Sequence, residues 1–246
     1  MHVSKSAAHS EIPTEQTLRL LLEGETQLRG RLLSGSNAVY LVDLQMNGLI
    51  AKAIYKPVLG ERPLWDFPPD LSYRERGAFL VDKALGWNVV PPTVLRKDMP
   101  FGLGSVQLFM PSDHKHHYFT MIANDHLRPQ LERICALDIV INNADRKAGH
   151  CLLDDNGEVW AIDNGLTFHH DLKLRTVIWD FANNKIPSSI QHDLQRLLDS
   201  GLPDQLKRTL APVELEATLK RTRELLLAGH FPTMSRSLGS LPWSLV

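Results

Sequence analysis

The densest run of chemically capable residues is INNADRKAGHCLLDDNGEVWAIDNGLTFHH, residues 141–170. Asp145 falls in a polar stretch after a helical pattern, with Arg146 next and His150 five positions on. Asp163 opens Asp-Asn-Gly at the end of a second strand-like run. Between them, 151–153 and 159–162 read as a short hairpin turning at Asp154-Asp155-Asn156-Gly157. A hairpin returns its exit beside its entry, so Asp145, His150 and Asp163 gather around one small volume. Two carboxylates and an imidazole suit phosphoryl transfer. One acid orients or deprotonates an acceptor hydroxyl, and the other groups hold the cations that neutralise phosphate charge.

Plainer roles compete. Asp145 could cap a turn with Arg146 as its surface partner, and Asp163 could be an ordinary turn aspartate. The same acid and histidine set could also serve a metal-dependent hydrolase. Asp138 lies on an apolar helical stripe seven residues before Asp145. An unpaired carboxylate there would be costly, so it is expected to accept hydrogen bonds from the loop backbone. Among the eleven histidines, His114, His116 and His117 cluster in SDHKHHYF, which lacks zinc-ligand spacing and reads as solvated loop. His169 and His170 follow the Asp163 loop closely enough to join the site.

The elements that must position these groups divide the chain in two. Residues 1–13 are polar and expected to be disordered. Helical spacing covers 14–22, and strand-like runs follow at 27–33, 38–44 and 49–55. Asn47-Gly48 is a hairpin signal. A proline-rich loop over 58–71 precedes a helix expected to start on a Ser72/Glu75 capping box, with Arg74 as a surface neighbour of Glu75, and to stop at Gly86. Runs at 89–96 and 105–110 complete a five-stranded sheet. The remainder reads as helices at 127–143, 190–200, 203–210 and 212–228 around the hairpin. The expected architecture is α+β and bilobal, with a small antiparallel sheet lobe carrying one helix over 14–111 and a mainly helical lobe over 112–246.

With those elements in order, the chain resembles the phosphatidylinositol 3-/4-kinase-like superfamily, which includes type II phosphatidylinositol 4-kinases and HipA-type kinases. The similarity is greatest to a small bacterial group within it. The resemblance rests on Asp145-Arg146, the following hairpin and Ile162-Asp163-Asn164-Gly165, and spans roughly 25–185. It implies a protein-kinase-like fold and an ATP- and divalent-metal-dependent kinase acting on an unidentified hydroxyl. It makes Asp145 catalytic with Arg146 bracing the loop, and Asp163 a metal ligand. His150 stands where the superfamily usually carries Asn; an imidazole is less matched to hard Mg²⁺, which brings in Mn²⁺ beside Mg²⁺. It further implies that Lys56, in AIYKP, holds ATP phosphates with Glu75 as its partner. Lys52 is a rival on the same strand face. Ser34, Gly35, Ser36 and Asn37 resemble a phosphate-covering loop without G-x-G-x-x-G. Gln107, Leu108, Phe109 and Met110 correspond to the adenine-reading strand. Lys173, Arg175 and His169 fall where substrate would be contacted. A nucleotide-binding pseudokinase with little turnover is the alternative.

Composition narrows the partners. A formal charge of -1 gives no global field toward nucleic acid or anionic membrane. Cys135 and Cys151 offer neither a disulfide framework nor zinc spacing, which favours a reducing compartment. No run reaches the roughly 18 apolar residues of a membrane span, so a cytoplasmic protein without integral membrane association is expected. The apolar tail SLPWSLV, with Trp243, is suited to docking on the domain or a neighbour.

Overall fold

The computed structural model describes residues 14–32, 37–113, 115–234 and 239–246. By internal contacts the chain forms two units. One is Met1–Arg62 with Pro92–Phe109; the other is Pro63–Pro91 with Met110–Val246. The segment carrying the first unit's expected helix therefore packs with the second.

The first unit is built on one antiparallel sheet. Its strands are β1 (Glu25–Leu32), β2 (Val39–Met46), β3 (Leu49–Pro57), β4 (Thr93–Arg96) and β5 (Gly104–Leu108), in the order β1-β2-β3-β5-β4. Asn47 and Gly48 both have positive φ, 51° and 82°, as a tight two-residue hairpin requires. Alternation along β3 buries Ala51, Ala53 and Tyr55, against which α1 (Thr14–Glu23) adds Leu20 and Leu21. Arg96 donates from Nη1 to the Gly24 carbonyl at 2.7 Å, bonding the chain where α1 ends. The expected strand at 89–96 begins only at Thr93. Pro91 and Pro92 lack the N–H that a ladder needs.

In the second unit α2 (Leu71–Leu85) ends at Gly86 with φ 73°. Its start departs from expectation. The helix begins at Leu71, after Asp70 in a left-handed conformation with no side-chain cap, so Ser72 lies inside the helix rather than at its N-cap. Glu75 is drawn inward to another partner described below. Arg74 is likewise buried rather than a surface neighbour of Glu75: it donates to Glu214 Oε1 at 2.6 Å and to the Thr167 carbonyl at 2.5 Å. Asp82, buried, accepts the N–H groups of Val89 and Val90 at 3.2 and 3.1 Å. Burial pushes its carboxyl up to about 7, against those two bonds.

Four-residue α3 (Tyr118–Met121), which sequence periodicity did not indicate, precedes α4 (Arg128–Ile141). The hairpin of β6 (Cys151–Leu153) and β7 (Val159–Ala161) follows. Asp154 fixes its turn by accepting the Asn156 and Glu158 N–H groups through Oδ1 and the Trp160 indole through Oδ2. The unit is completed by α5 (Ser188–Ser200), α6 (Asp204–Lys207) and α7 (Pro212–Ala228). Among the described residues no helix is long and apolar enough to cross a membrane.

Candidate active site

The second unit assembles Asp145, Arg146, His150 and Asp163 around the loop between α4 and β6. The loop begins where α4 stops: Asn142 adopts φ 56° and turns the chain. Its side chain donates to the carbonyls of His169 (2.8 Å) and Asp171 (2.6 Å) and accepts the Lys173 N–H at 2.9 Å. One asparagine thus ties the 169–173 segment to the loop.

Beneath the loop lies a buried charge cluster. Arg146 and Asp138 are both 0% exposed, and the guanidinium meets the carboxylate through Nε (3.0 Å to Oδ2) and Nη2 (2.9 Å to Oδ1). Arg146 also donates to the Ile162 carbonyl and to Asn164 Oδ1, each at 2.6 Å. Asp138 receives Asn143 Nδ2 at 3.1 Å. Its carboxylate is therefore held by side chains, rather than by the loop backbone as expected; the backbone bond from Asn143 ends on the Asp138 carbonyl. Burial raises the Asp138 carboxyl and Arg146 opposes that rise.

Asp145 sits above this cluster. Its N–H donates to Asn143 Oδ1 at 3.0 Å, and its carboxylate pairs with Lys147 Nζ at 3.2 Å rather than with Arg146. Burial lifts its carboxyl above the usual range, Lys147 opposes this, and the charge of Asp163 adds to the rise.

His150 closes the 3-10 turn Ala148–His150. Its Nδ1 lies 3.1 Å from the Asp145 carbonyl, and its Nε2 lies 3.3 Å from Asp163 Oδ2. Asp163 itself has φ 57°, a left-handed conformation that Asp tolerates better than most residues. The next residue, Asn164, donates its N–H to Glu75 Oε2 at 3.0 Å, the buried partner that removed Glu75 from the end of α2. Donor chemistry fits a divalent cation. His150 Nδ1 also lies 3.4 Å from the Lys147 backbone N; in the tautomer that donates Nδ1–H to the Asp145 carbonyl, the Nε2 lone pair faces outward. The 3.3 Å to a carboxylate oxygen is close to the roughly 3 Å between neighbouring ligands on an ion with bonds of about 2.1 Å.

The other expected residues fall as follows. Lys56 is half-buried on β3 while Lys52 is exposed. Ser34, Gly35 and Ser36 lie outside the described residues; Asn37 Oδ1 accepts the Arg62 N–H at 3.0 Å. Gln107 turns its amide onto Thr93 Oγ1, and the N–H groups of Leu108 and Phe109 bond to the carbonyls of Pro92 and Lys52. The Met110 N–H makes no bond among the described residues. Lys173 and Arg175 both face Asp66 Oδ2, at 3.9 and 3.4 Å.

His169, His170 and Asp171 are close enough to form a second ligand group. However, His169 Nδ1 accepts the Asp171 N–H at 3.0 Å, so its neutral ring carries the proton on Nε2. Burial lowers its basicity. Next to the loop, burial pushes the Cys151 thiol up to about 12, which disfavours its thiolate. Residues that sequence reading passed over are Asn142, Asn143, Lys147 and Asn164. Their signal was present in the Asn-Asn before Asp145 and the single Asn after Asp163.

A family model for phosphatidylinositol 3- and 4-kinases matches residues 70–228, more than half of the chain. The chain belongs to the phosphatidylinositol 3- and 4-kinase family. Protein Rv2133c of Mycobacterium tuberculosis is 34% identical over 84% of this chain and 87% of its own. Two solved structures show this family member's fold to be protein-kinase-like α+β. A Golgi casein kinase with Mn/ADP bound matches 93% of this chain and 78% of its own at TM-score 0.58 and 16% identity. Hydra Fam20 with sugar matches 91% of this chain and 89% of its own, also at 0.58 and 16%.

Proposed function

We propose that the protein is an ATP-dependent phosphotransferase using Mg²⁺ or Mn²⁺, with Asp145 as its base and with Asp163 and His150 as its metal ligands. The observation that carries this is the 3.3 Å approach of His150 Nε2 to Asp163 Oδ2, beside an Asp145 whose basicity burial has raised. A divalent cation there would neutralise charge on the nucleotide phosphates. Asp145 accepts a hydrogen bond from the acceptor hydroxyl and takes its proton as the new oxygen–phosphorus bond forms and ADP departs. Arg146, fully buried, is a positioning residue; it holds Asp138, Ile162 and Asn164 so that both acids keep their places. Lys56 is assigned to the α- and β-phosphates, and the Met110 N–H, which makes no bond among the described residues, to adenine.

The test is ATP consumption by the wild type and by Asp145→Asn, with Mg²⁺ and Mn²⁺ compared. The proposal expects turnover in the wild type, faster with Mn²⁺, and a loss of at least about 100-fold in the variant. Equal rates in both proteins would overturn it.

A second reading, a nucleotide-binding pseudokinase, is favoured by the Lys147 ion pair that occupies Asp145. It expects thermal stabilisation by ATP without consumption of ATP.

A further inference from the structure

The second unit contains a cavity of about 330 Å³ between the C-terminal halves of α4 and α7 and the 172–179 segment. None of the proposed catalytic or metal residues lines it. Its walls include Ile139, Leu172, Leu174, Trp179 and Leu225. Its volume is at the small end of the roughly 300–1,000 Å³ of small-molecule sites.

Among the polar residues that share the wall, Arg221 is the buried cation, 9% exposed. It donates Nε to the Val140 carbonyl (3.0 Å), Nη1 to the His169 carbonyl (3.2 Å) and Nη2 to Thr218 Oγ1 (3.1 Å). A guanidinium has five N–H donors, so these bonds leave two without an acceptor among the described residues. No carboxylate among the described residues pairs with it. Glu214 is bonded to Arg74 at 2.6 Å, and Glu224 faces Lys220 at 3.8 Å. Burial pulls Arg221 down to about 10, with both glutamates acting only at longer range to raise it. A nine-tenths buried cation balanced by neutral acceptors is costly, and an anion beside it removes that cost. Lys173 and His230 add basic groups to the lining, against Glu224 as its acid among the described residues.

We propose that this cavity binds a small amphipathic acid, with its apolar body among Leu172, Leu174, Trp179 and Leu225 and its anionic head on Arg221. The site is separate from the phosphotransfer residues and does not depend on their assignment. Because Arg221 holds the His169 carbonyl and Leu172–Leu174 form one wall, such a ligand bears directly on the segment that follows Asp163.

Calorimetric titration of the full chain, without nucleotide or metal, tests it with decanoate, decyl phosphate and decanol below their micellar concentrations. At least one of the two acids is expected to saturate a single site about tenfold or more tighter than decanol, equivalent to about 1.4 kcal/mol. The head group of the tighter acid identifies the class of ligand. Arg221→Met is expected to reduce acid binding to the level of the alcohol. Should that variant unfold, Ala228→Trp carries the test: it fills the cavity mouth from the exposed last residue of α7 and is expected to abolish acid binding with the melting temperature unchanged. Absence of acid binding, equal binding of acid and alcohol, or undiminished acid binding by Ala228→Trp would overturn the proposal.

Discussion

Arg146 and Asp138 form an ion pair in which neither side chain reaches solvent, and that pair underlies the loop that presents Asp145. A buried pair contributes less to net stability than to geometry, because both charges lose their hydration. Removing one partner is a different matter. Arg146→Ala strands the Asp138 carboxylate and is expected to cost about 3–5 kcal/mol in denaturant unfolding. The double variant Asp138→Leu/Arg146→Met is expected to recover much of that loss while remaining inactive, since Ile162 and Asn164 lose their shared donor. Recovery of turnover along with stability would show that the pair serves packing alone.

Asp82 sets a pH dependence. Its carboxyl is raised by burial from 3.8 to about 7 in the folded chain, so the folded state keeps a proton that the unfolded state releases. Its stabilising contribution is fully present below the unfolded value and is lost as pH rises through about 7. Unfolding free energies measured across that window are expected to fall more steeply for the wild type than for Asp82→Asn. The difference in slope reaches at most about 1.4 kcal/mol per pH unit, one proton's worth. Parallel slopes would refute the assignment.

The C-terminal tail reaches the candidate site through its backbone. The Leu245 carbonyl accepts the Ala148 N–H at 2.8 Å at the start of the turn that ends in His150, while Trp243 is 98% exposed. Ser240 accepts the Thr176 N–H and the Trp179 indole. Deleting residues 241–246 is expected to cost about 1 kcal/mol of stability, the scale of one hydrogen bond. It is also expected to raise the metal concentration needed for half-maximal turnover several-fold. A shortened chain with an unchanged metal requirement would contradict a link between tail and turn.

Legibility in the sequence followed the range of the interaction. Asn47-Gly48, Gly86 and the Asp154–Gly157 turn act through neighbours a few residues away, and the elements they delimit stand close to where spacing put them. The start of α2 does not, because a local rule lost to distant partners. Glu75 is taken by Asn164, and Arg74 by Glu214, 140 positions along the chain. The same holds at the site. Asp145, His150 and Asp163 could be grouped because one hairpin joins them, whereas Asn143 and Asn164 gain their roles only once Arg146 is buried beneath them. The side-chain cluster at Asp138 was legible as a buried acid, but its partners were not, since helical spacing says nothing of what enters from a loop.

The central claim is that Asp163 and His150 hold one cation beside Asp145. Pulsed electron paramagnetic resonance of Mn²⁺ with ATP and the full chain tests it most directly. The account predicts a nitrogen coupling from one imidazole that disappears in His150→Ala and weaker Mn²⁺ binding in Asp163→Ala. A nitrogen coupling that survives in His150→Ala, or Mn²⁺·ATP that binds without any protein nitrogen near the metal, would contradict it.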